Sequence, residues 1–300
     1  MKIRIALAQY PITAHAHFEA WEKHISTWVE NALREAPDLL LFPEYGSMEL
    51  VHIFRAEIQE DIQLQVREMQ SIYPQFCAVF EALAIKHQLI LVAPSFPVEI
   101  GKSIVNRVSV FGKKGFIGYQ DKFFMTRFEN ESWKIDSGAK KLTLFEAPWG
   151  KFGIQICYDI EFGIGSKLLC DAGATLILAP SCTETLRGAT RVHVGARARA
   201  LENQCYVAVS QTVGEALWSS AVDINFGYAA CYATPDIGFS EEGIETVGIA
   251  QAEKWLFTEL DFEKIQEVRA DGQVLNFRDQ RNILVNLASD AIEVKRVYTE

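Results

Sequence analysis

Short apolar segments alternate with helical segments along this chain of 300 residues, and this alternation restricts the fold more than any other feature. Leu39–Phe42, Leu89–Ala93 and Leu176–Ala179 are apolar throughout, which is typical of strands buried on both faces. Apolar residues recur at helical spacing between Phe18 and Ala32, and Arg187–Asn203 is also predicted to be a helix. Buried strands that alternate with helices indicate an α/β fold.

The predicted sheet is mixed, because some of its strands are antiparallel. Ile104–Phe111 and Phe116–Gln120 flank a glycine-containing turn and predict a hairpin. A late meander is expected from the segments Ile224–Tyr232, Ile244–Ala250 and Leu256–Leu260. No repeat or flexible linker interrupts the series, so residues 1–300 are expected to form one domain. Periodicity is compatible with one doubly wound sheet or with two sheets packed face to face.

Composition excludes several classes of partner and site. A net charge of -10 disfavours nucleic acid and anionic membranes as partners. The N-terminus lacks signal-peptide features and no apolar run reaches about 18 residues, so a cytoplasmic location is expected. The six cysteines form no CxxC pair and the six histidines no HExxH motif. We therefore expect reduced thiols, no metal site and no cofactor.

Three reactive side chains stand at the ends of predicted strands, where sites of α/β proteins collect. Glu44 follows Leu39–Phe42, Lys122 follows the hairpin, and Cys157 stands at a strand-to-helix turn. A free thiol has a pKa of about 8.5, so a cysteine nucleophile needs a neighbouring base or positive charge. Taken singly, each residue has a simpler explanation: Cys157 could be a core thiol, and Glu44 and Lys122 solvated charges.

Glutamate, lysine and cysteine in this order and setting resemble the nitrilase or carbon-nitrogen hydrolase superfamily. The resemblance extends over most of the chain, through IALAQY, FPE, the lysine segment GYQDKFF, ICYD, LAPS, ARARALENQCYV and VRADGQVLNFRDQR. It implies a four-layer αββα sandwich with mixed β-sheets in a single carbon-nitrogen hydrolase domain. It also implies a homodimer or higher homo-oligomer paired through the helical layer after the cysteine. A C-terminal extension from about residue 280 would contribute to the subunit contacts.

The resemblance also implies roles for particular residues. Cys157 corresponds to the nucleophile, Glu44 to the general base and acid, and Lys122 to the group that stabilises the oxyanion, together with the backbone N–H of Tyr158. The family often has a further glutamate between the lysine and a downstream glycine. Glu131 fits this position best, seven residues before Gly138, and Glu129 is the alternative.

The residues after Cys157 read CYD, which is more similar to the amidase-type branches than the CWE of nitrilases. A small amide is therefore the expected substrate, and Glu161 would disfavour an anionic one if it faced the site. Two other functions remain open: nitrile hydrolysis at the same site, and a non-catalytic dimeric scaffold. His193 offers a rival Cys/His arrangement, but no orienting partner is visible, so we expect a surface histidine on a helix.

Overall fold

The computed structural model describes residues 1–286 and 295–296. Its strands are β1 Lys2–Pro11, β2 Leu39–Leu41, β3 Ile90–Val92, β4 Phe96–Ile100, β5 Ser103–Gly112, β6 Gly115–Asp121, β7 Phe145–Ala147, β8 Gly150–Ile154, β9 Leu176–Ser181, β10 Tyr206–Glu215, β11 Ile224–Asn225, β12 Ala230–Tyr232, β13 Ile244–Val247 and β14 Lys254–Asp261. Its helices are α1 Phe18–Ala32, α2 Ala56–Gln59, α3 Ile62–Met69, α4 Tyr73–His87, α5 Gly163–Asp171, α6 Leu186–Asn203, α7 Phe262–Asp271 and α8 Asn276–Asn286. None of these helices is long and apolar enough to cross a membrane.

The strands form a curled, mixed sheet with two halves. One half has the order β4-β5-β3-β2-β1, and the other has the order β10-β9-β8-β7. Strand β1 runs parallel to β2 and antiparallel to β14. The halves join where Gln9–Pro11 pairs in parallel with Gln211–Val213. The predicted hairpin is present as the antiparallel pair β5 and β6.

The core is divided in the way that a four-layer sandwich requires. Ile5 and Leu7 of β1 lie in one buried cluster, which includes side chains of β8 and β9 from the other half of the sheet. Ala6 and Ala8 point the other way, into a second cluster beneath α1 and α4. Helix α6 covers the second half of the sheet through Val192 and two alanines. The predicted αββα sandwich is confirmed.

Two short segments next to the strand ends were not predicted, and both carry polar side chains of interest. Gly46–Ile53 forms a 3₁₀ helix immediately after the turn that holds Glu44. Glu129–Trp133 forms one turn of π-helix in the loop after β6. The predicted C-terminal extension lies largely outside the described residues, and its role in subunit contacts stays a prediction.

Candidate active site

The ends of β2, β6 and β8 bring Glu44, Lys122 and Cys157 to one cavity. The cavity has a volume of about 830 Å³, and all three side chains line it. Lys122 Nζ donates to Glu44 Oε1 at 2.7 Å. All three residues are at most 6% exposed, so the groups that face the cavity are shielded from bulk water. The structure therefore brings together the three residues that the strand ends had suggested.

Glu44 is held by three donors on its two oxygens. Oε1 accepts from Lys122 and, at 2.9 Å, from Asn106 Nδ2. Oε2 accepts from the backbone N–H of Cys182 at 3.0 Å. Burial raises the pKa of Glu44 above its usual value, and the charge of Lys122 opposes this only in part. A carboxylate in this environment is a stronger base than one in water.

Glu129 is the second carboxylate that contacts Lys122, at 2.7 Å from Nζ. Its Oε1 accepts from Tyr45 Oη at 2.8 Å and Asn106 Nδ2 at 3.3 Å. Its Oε2 also accepts from the backbone N–H and the hydroxyl of Thr126, at 3.0 and 2.8 Å. Although burial opposes ionisation, Lys122 and these hydrogen bonds lower the pKa of Glu129. Glu129 is thus a fixed anion beside Lys122.

The structure does not bring Glu131 to Lys122, so our preferred second glutamate has to be replaced by Glu129. The Glu131 side chain is 58% exposed and pairs with Arg127 at 2.8 Å on the surface. The π-helical turn accounts for the difference, because it buries Glu129 and directs Glu131 outward.

Lys122 lies between two buried carboxylates. Burial alone lowers its pKa, but Glu129 and Glu44 outweigh that effect and hold the pKa well above its usual value. The ammonium group is therefore permanently charged in the resting protein. It provides a positive charge inside a cavity where electrostatic interactions are stronger than in water.

Cys157 has a backbone conformation that L-residues rarely adopt, with φ of 47°. It opens a 3₁₀ helix, Cys157–Glu161, which separates β8 from α5, so the predicted strand-to-helix turn contains an extra helical turn. Its Sγ donates to the carbonyl of Cys182 at 3.6 Å. Burial and Glu44 raise the pKa of the Cys157 thiol well above its usual value, against the opposing charge of Lys122. Burial thus favours the thiol form, and formation of a thiolate there requires a base that takes the proton.

Asp159 connects the lysine segment to the cysteine segment. Its carboxylate accepts from the backbone N–H groups of Phe124 at 2.6 Å, Phe123 at 3.1 Å and Ile156 at 3.2 Å. Burial raises the pKa of Asp159 to about 7 in spite of these donors. Asp159 therefore fixes the residues after Lys122 against the residue before Cys157.

His193 is not on the surface, contrary to our expectation. It is 4% exposed, and its two ring nitrogens contact Gln211 Oε1 at 3.0 Å and Tyr232 Oη at 2.8 Å. Burial lowers the pKa of His193 to about 4. Among the described residues, neither His193 nor these partners line the cavity, which separates the histidine from Cys157.

Several residues of the site were missed by sequence reasoning. Asn106 contacts both Glu44 and Glu129, but β5 also carries Arg107 and Ser109, so the sequence does not set Asn106 apart. Thr126, which binds Glu129, lies in an irregular segment without periodicity. Tyr45, which also binds Glu129, is a residue for which the sequence left open a place in the pocket wall or packing against loop backbone. Tyr158 lines the cavity as expected, and Trp133 and Phe128 form part of its wall.

Comparisons with known proteins match most of this chain. Residues 4–270 match the family model described as "Carbon-nitrogen hydrolase". The chain is 29% identical over 285 residues to "Probable hydrolase YhcX" of Bacillus subtilis, a match covering 95% of this chain and 55% of that protein. This chain therefore spans about half the length of that relative.

Two further relatives match along most of their length. The chain is 26% identical over 272 residues to "Omega-amidase NIT2" of Danio rerio, a match covering 88% of this chain and 90% of the relative. The crystal structure of Saccharomyces cerevisiae Nit3, described as a member of branch 10 of the nitrilase superfamily, is similar with a TM-score of 0.71. That match has 25% identity and covers 90% of this chain and 93% of the yeast chain.

Proposed function

This chain belongs to the carbon-nitrogen hydrolase family, and from that premise we propose that it hydrolyses a small amide to a carboxylic acid and ammonia or an amine. The observation that carries the proposal is the convergence of Cys157, Glu44 and Lys122 on one cavity, with Lys122 Nζ 2.7 Å from Glu44. The similarity to an omega-amidase supports an amide rather than a nitrile as substrate.

The first half-reaction forms a thioester on Cys157. Glu44 takes the thiol proton as the sulfur attacks the amide carbonyl, because its raised pKa makes it the more basic of the two buried carboxylates. The resulting tetrahedral intermediate carries an oxyanion. Glu44 then gives the proton to the departing nitrogen, the C–N bond breaks, and ammonia or an amine leaves.

The oxyanion is stabilised by the ammonium group of Lys122 and the backbone N–H of Tyr158. A fixed positive charge in a shielded cavity stabilises developing negative charge without reorganisation during the reaction. Glu129 acts through Lys122: its anion, saturated with hydrogen bonds, holds the ammonium group in place. We therefore assign Glu129 a positioning role and Lys122 direct contact with the reacting atoms.

The second half-reaction returns the enzyme to its resting state. Glu44 takes a proton from water, the water oxygen attacks the thioester carbonyl, and the C–S bond breaks. The thiolate leaves, the carboxylic acid is released, and Cys157 regains the proton from Glu44. One carboxylate thus serves both half-reactions.

The cavity supports a small polar substrate. Its mouth carries acidic and basic side chains, among them Glu161 and Arg191, which lie 3.4 Å apart. Because Arg191 offsets the charge of Glu161, the glutamate does not make the mouth simply repulsive to anions. The mixed charge supports a substrate with polar groups beyond its amide.

The experiment that tests this function measures ammonia release from a panel of small amides, ureides and nitriles. We expect turnover of one or more amides by the wild type, and a loss of about a thousandfold or more in Cys157→Ala and Glu44→Gln. Cys77→Ala is the matched control, since Cys77 is a free thiol on α4 that does not line the cavity. Retained amide turnover in Cys157→Ala would overturn the mechanism. Release of ammonia from nitriles but from no amide would show that the activity is that of a nitrilase and not of an amidase.

A homodimer is proposed on separate grounds. Helices α5 and α6 expose the apolar side chains of Leu168, Val194 and Leu201, which are 53%, 62% and 41% accessible in the single chain. Burial of such a surface in a second copy would remove it from water. Sedimentation velocity tests this, with Val194→Glu expected to lower the sedimentation coefficient to that of a monomer. A cytoplasmic location stays a prediction from the N-terminal sequence and the lack of a long apolar run.

A further inference from the structure

A second cluster of polar side chains lies outside the active site. His15 belongs to the loop between β1 and α1, His24 to α1, and Glu49 to the 3₁₀ helix Gly46–Ile53. One side-chain nitrogen or oxygen from each lies within 4.8 Å of the others. None of the three lines the catalytic cavity.

Glu49 is a buried carboxylate that lacks a permanent cationic partner. Its exposure is 0%, and its Oε1 accepts from Tyr10 Oη at 2.6 Å and Trp21 Nε1 at 2.7 Å. Its Oε2 accepts only a longer hydrogen bond of 3.2 Å from the backbone N–H of Thr13. In the part of the chain that the structure describes, no lysine or arginine pairs with it, and His15 Nε2 faces Oε2 at 3.4 Å. This carboxyl oxygen, buried with one long hydrogen bond, has room for a further ligand.

The two histidines are unsatisfied as well. The Nε2 atoms of His15 and His24 are both buried, and neither has a hydrogen-bond partner among the described residues. His15 itself is 5% exposed. A hydrogen bond between His15 and Glu49 would still leave His24 Nε2 without a partner. A cation bound among the three groups would satisfy all of them at once.

We propose that His15, His24 and Glu49 form a binding site for a divalent transition-metal ion, with Zn²⁺ as the best match. Two imidazoles and one carboxylate are ligands that Zn²⁺ prefers, whereas Mg²⁺ and Ca²⁺ prefer oxygen ligands throughout. Ligand atoms about 2.0 to 2.1 Å from a tetrahedral ion lie roughly 3.4 Å from one another. His15 Nε2 and Glu49 Oε2 already have this separation.

The surroundings of the cluster fit a metal site. Tyr10 and Trp21 donate to the carboxylate oxygen that faces away from His15, and such hydrogen bonds orient a ligand. The ion would connect three segments that are separate in sequence. One of them begins just after Glu44, so the metal would stabilise the segment that follows the catalytic base.

The test titrates chelator-treated protein with Co²⁺ and follows its visible ligand-field absorption. The wild type and Cys157→Ala are measured side by side, because a thiolate ligand at the active site would add a sulfur-to-metal charge-transfer band. We expect one Co²⁺ per chain in both proteins, no charge-transfer band, and displacement by Zn²⁺ but not by Mg²⁺.

Variants assign the ligands. His24→Gln is the main variant because His24 is only partly buried, and it should weaken Co²⁺ binding by at least about a hundredfold. His17→Asn is the matched control: this neighbouring histidine is exposed, and asparagine can replace it as the cap of α1. Zn²⁺ should also raise the melting temperature of the wild type and His17→Asn but not of His24→Gln. Absence of Co²⁺ binding to the wild type, or equal binding to His24→Gln, would overturn the proposal.

Discussion

The two carboxylates that flank Lys122 receive different hydrogen bonds, and this difference separates their roles. Glu129 accepts from Lys122, Tyr45 and Thr126, and its pKa is lowered. Glu44 is also buried, but its pKa is raised, mainly by that burial. When the environments of two neighbouring carboxyl groups shift their pKa values apart, the one with the raised value is suited to exchange protons. This difference supports the proposed assignment of Glu44 as the base, with Glu129 as an anion that holds Lys122.

The comparison of Glu129→Gln with Glu131→Gln tests this assignment. Both oxygens of Glu129 accept hydrogen bonds, from Tyr45 on one side and from Lys122 and Thr126 on the other, so either orientation of a glutamine amide would point its NH₂ group at a donor. The substitution also removes the negative charge that holds Lys122. We expect kcat to fall roughly a hundredfold or more, with a smaller change in KM. Glu131→Gln alters only an exposed ion pair and should leave kcat within about twofold. Equal effects of the two substitutions in steady-state kinetics would contradict the assignment.

The sequence was sufficient to predict that Glu44, Lys122 and Cys157 meet, but it could not decide whether Glu129 or Glu131 joins them. The first three follow strands, whose ends can be located from apolar runs. Glu129 and Glu131 lie two positions apart in a loop without periodicity, so only the π-helical turn decides which of them is buried. The role of Asn106 could not be predicted either, because nothing in the sequence indicates that its amide faces two carboxylates.

At the scale of elements, the close packing of α6 against the Cys157–Glu161 helix fixes the position of Cys157. A Cβ atom on Gly195 would lie 2.7 Å from the carbonyl oxygen of Ile160 and 3.2 Å from the Cα of Glu161. Arg199 donates to the same Ile160 carbonyl at 3.1 Å. The helical turn that carries Cys157 therefore rests directly on the backbone of α6.

Gly195→Ala should displace that turn. Alanine favours a helix by up to about 1 kcal/mol relative to glycine. However, the added methyl group would meet backbone atoms of Ile160 and Glu161, which cannot move away as a flexible side chain could. We expect a net loss of about 1 to 2 kcal/mol in the free energy of unfolding, and a tenfold to hundredfold lower kcat, roughly, from misplacement of the sulfur. Denaturant unfolding and steady-state kinetics measure the two effects.

Gly163→Ala is the control for this substitution. Its added Cβ would come no closer than 3.5 Å to Glu202 Oε2, which is an ordinary contact. Stability and turnover should both stay close to the wild type. If Gly195→Ala behaved like Gly163→Ala, the packing of α6 would not be what positions Cys157. Sequence patterns predicted both α6 and the strand before Cys157, but the close contact of α6 with the turn at Ile160 and Glu161 depends on tertiary packing.

At the scale of the whole molecule, a buried histidine couples stability to pH. His193 on α6 bonds to Gln211 on β10 and Tyr232 on β12, so it joins the outer helical layer to the sheet. Its pKa is lowered from 6.5 to about 4 by burial. The unfolded chain therefore binds more protons than the folded one between these values. The stability due to neutral His193 is full above pH 6.5 and is lost as the pH falls toward 4.

We expect this single group to contribute roughly 3 kcal/mol to the loss of stability across that range. In His193→Gln the free energy of unfolding should fall less steeply with decreasing pH, although the variant begins from a lower stability at neutral pH. Urea unfolding at a series of pH values from neutral to acidic measures both slopes. His17→Asn, at an exposed histidine, should keep the wild-type slope. Parallel curves for the wild type and His193→Gln would contradict the expectation.

The order of strands and helices and the mixed sheet followed from the sequence, and the four layers followed from the family resemblance. The pairing of β1 with β10 could not be predicted from the sequence, because strand register depends on partners far apart in the chain. The same reason explains why linear spacing predicted no metal site. His15, His24 and Glu49 form no recognisable motif, and only the fold brings them within 4.8 Å of one another.

The central claim is a thioester on Cys157, and intact-protein mass spectrometry tests it most directly. Wild type, Glu44→Gln and Cys157→Ala are mixed with an amide that the wild type hydrolyses and are quenched in acid within the first turnovers. We predict a mass gain equal to the acyl group of the substrate in wild type, located on Cys157 by peptide mapping. We predict none in Cys157→Ala, which lacks the sulfur, or in Glu44→Gln, which lacks the base that forms the thioester. An acyl group on another residue, or hydrolysis by Cys157→Ala at the wild-type rate, would contradict the account.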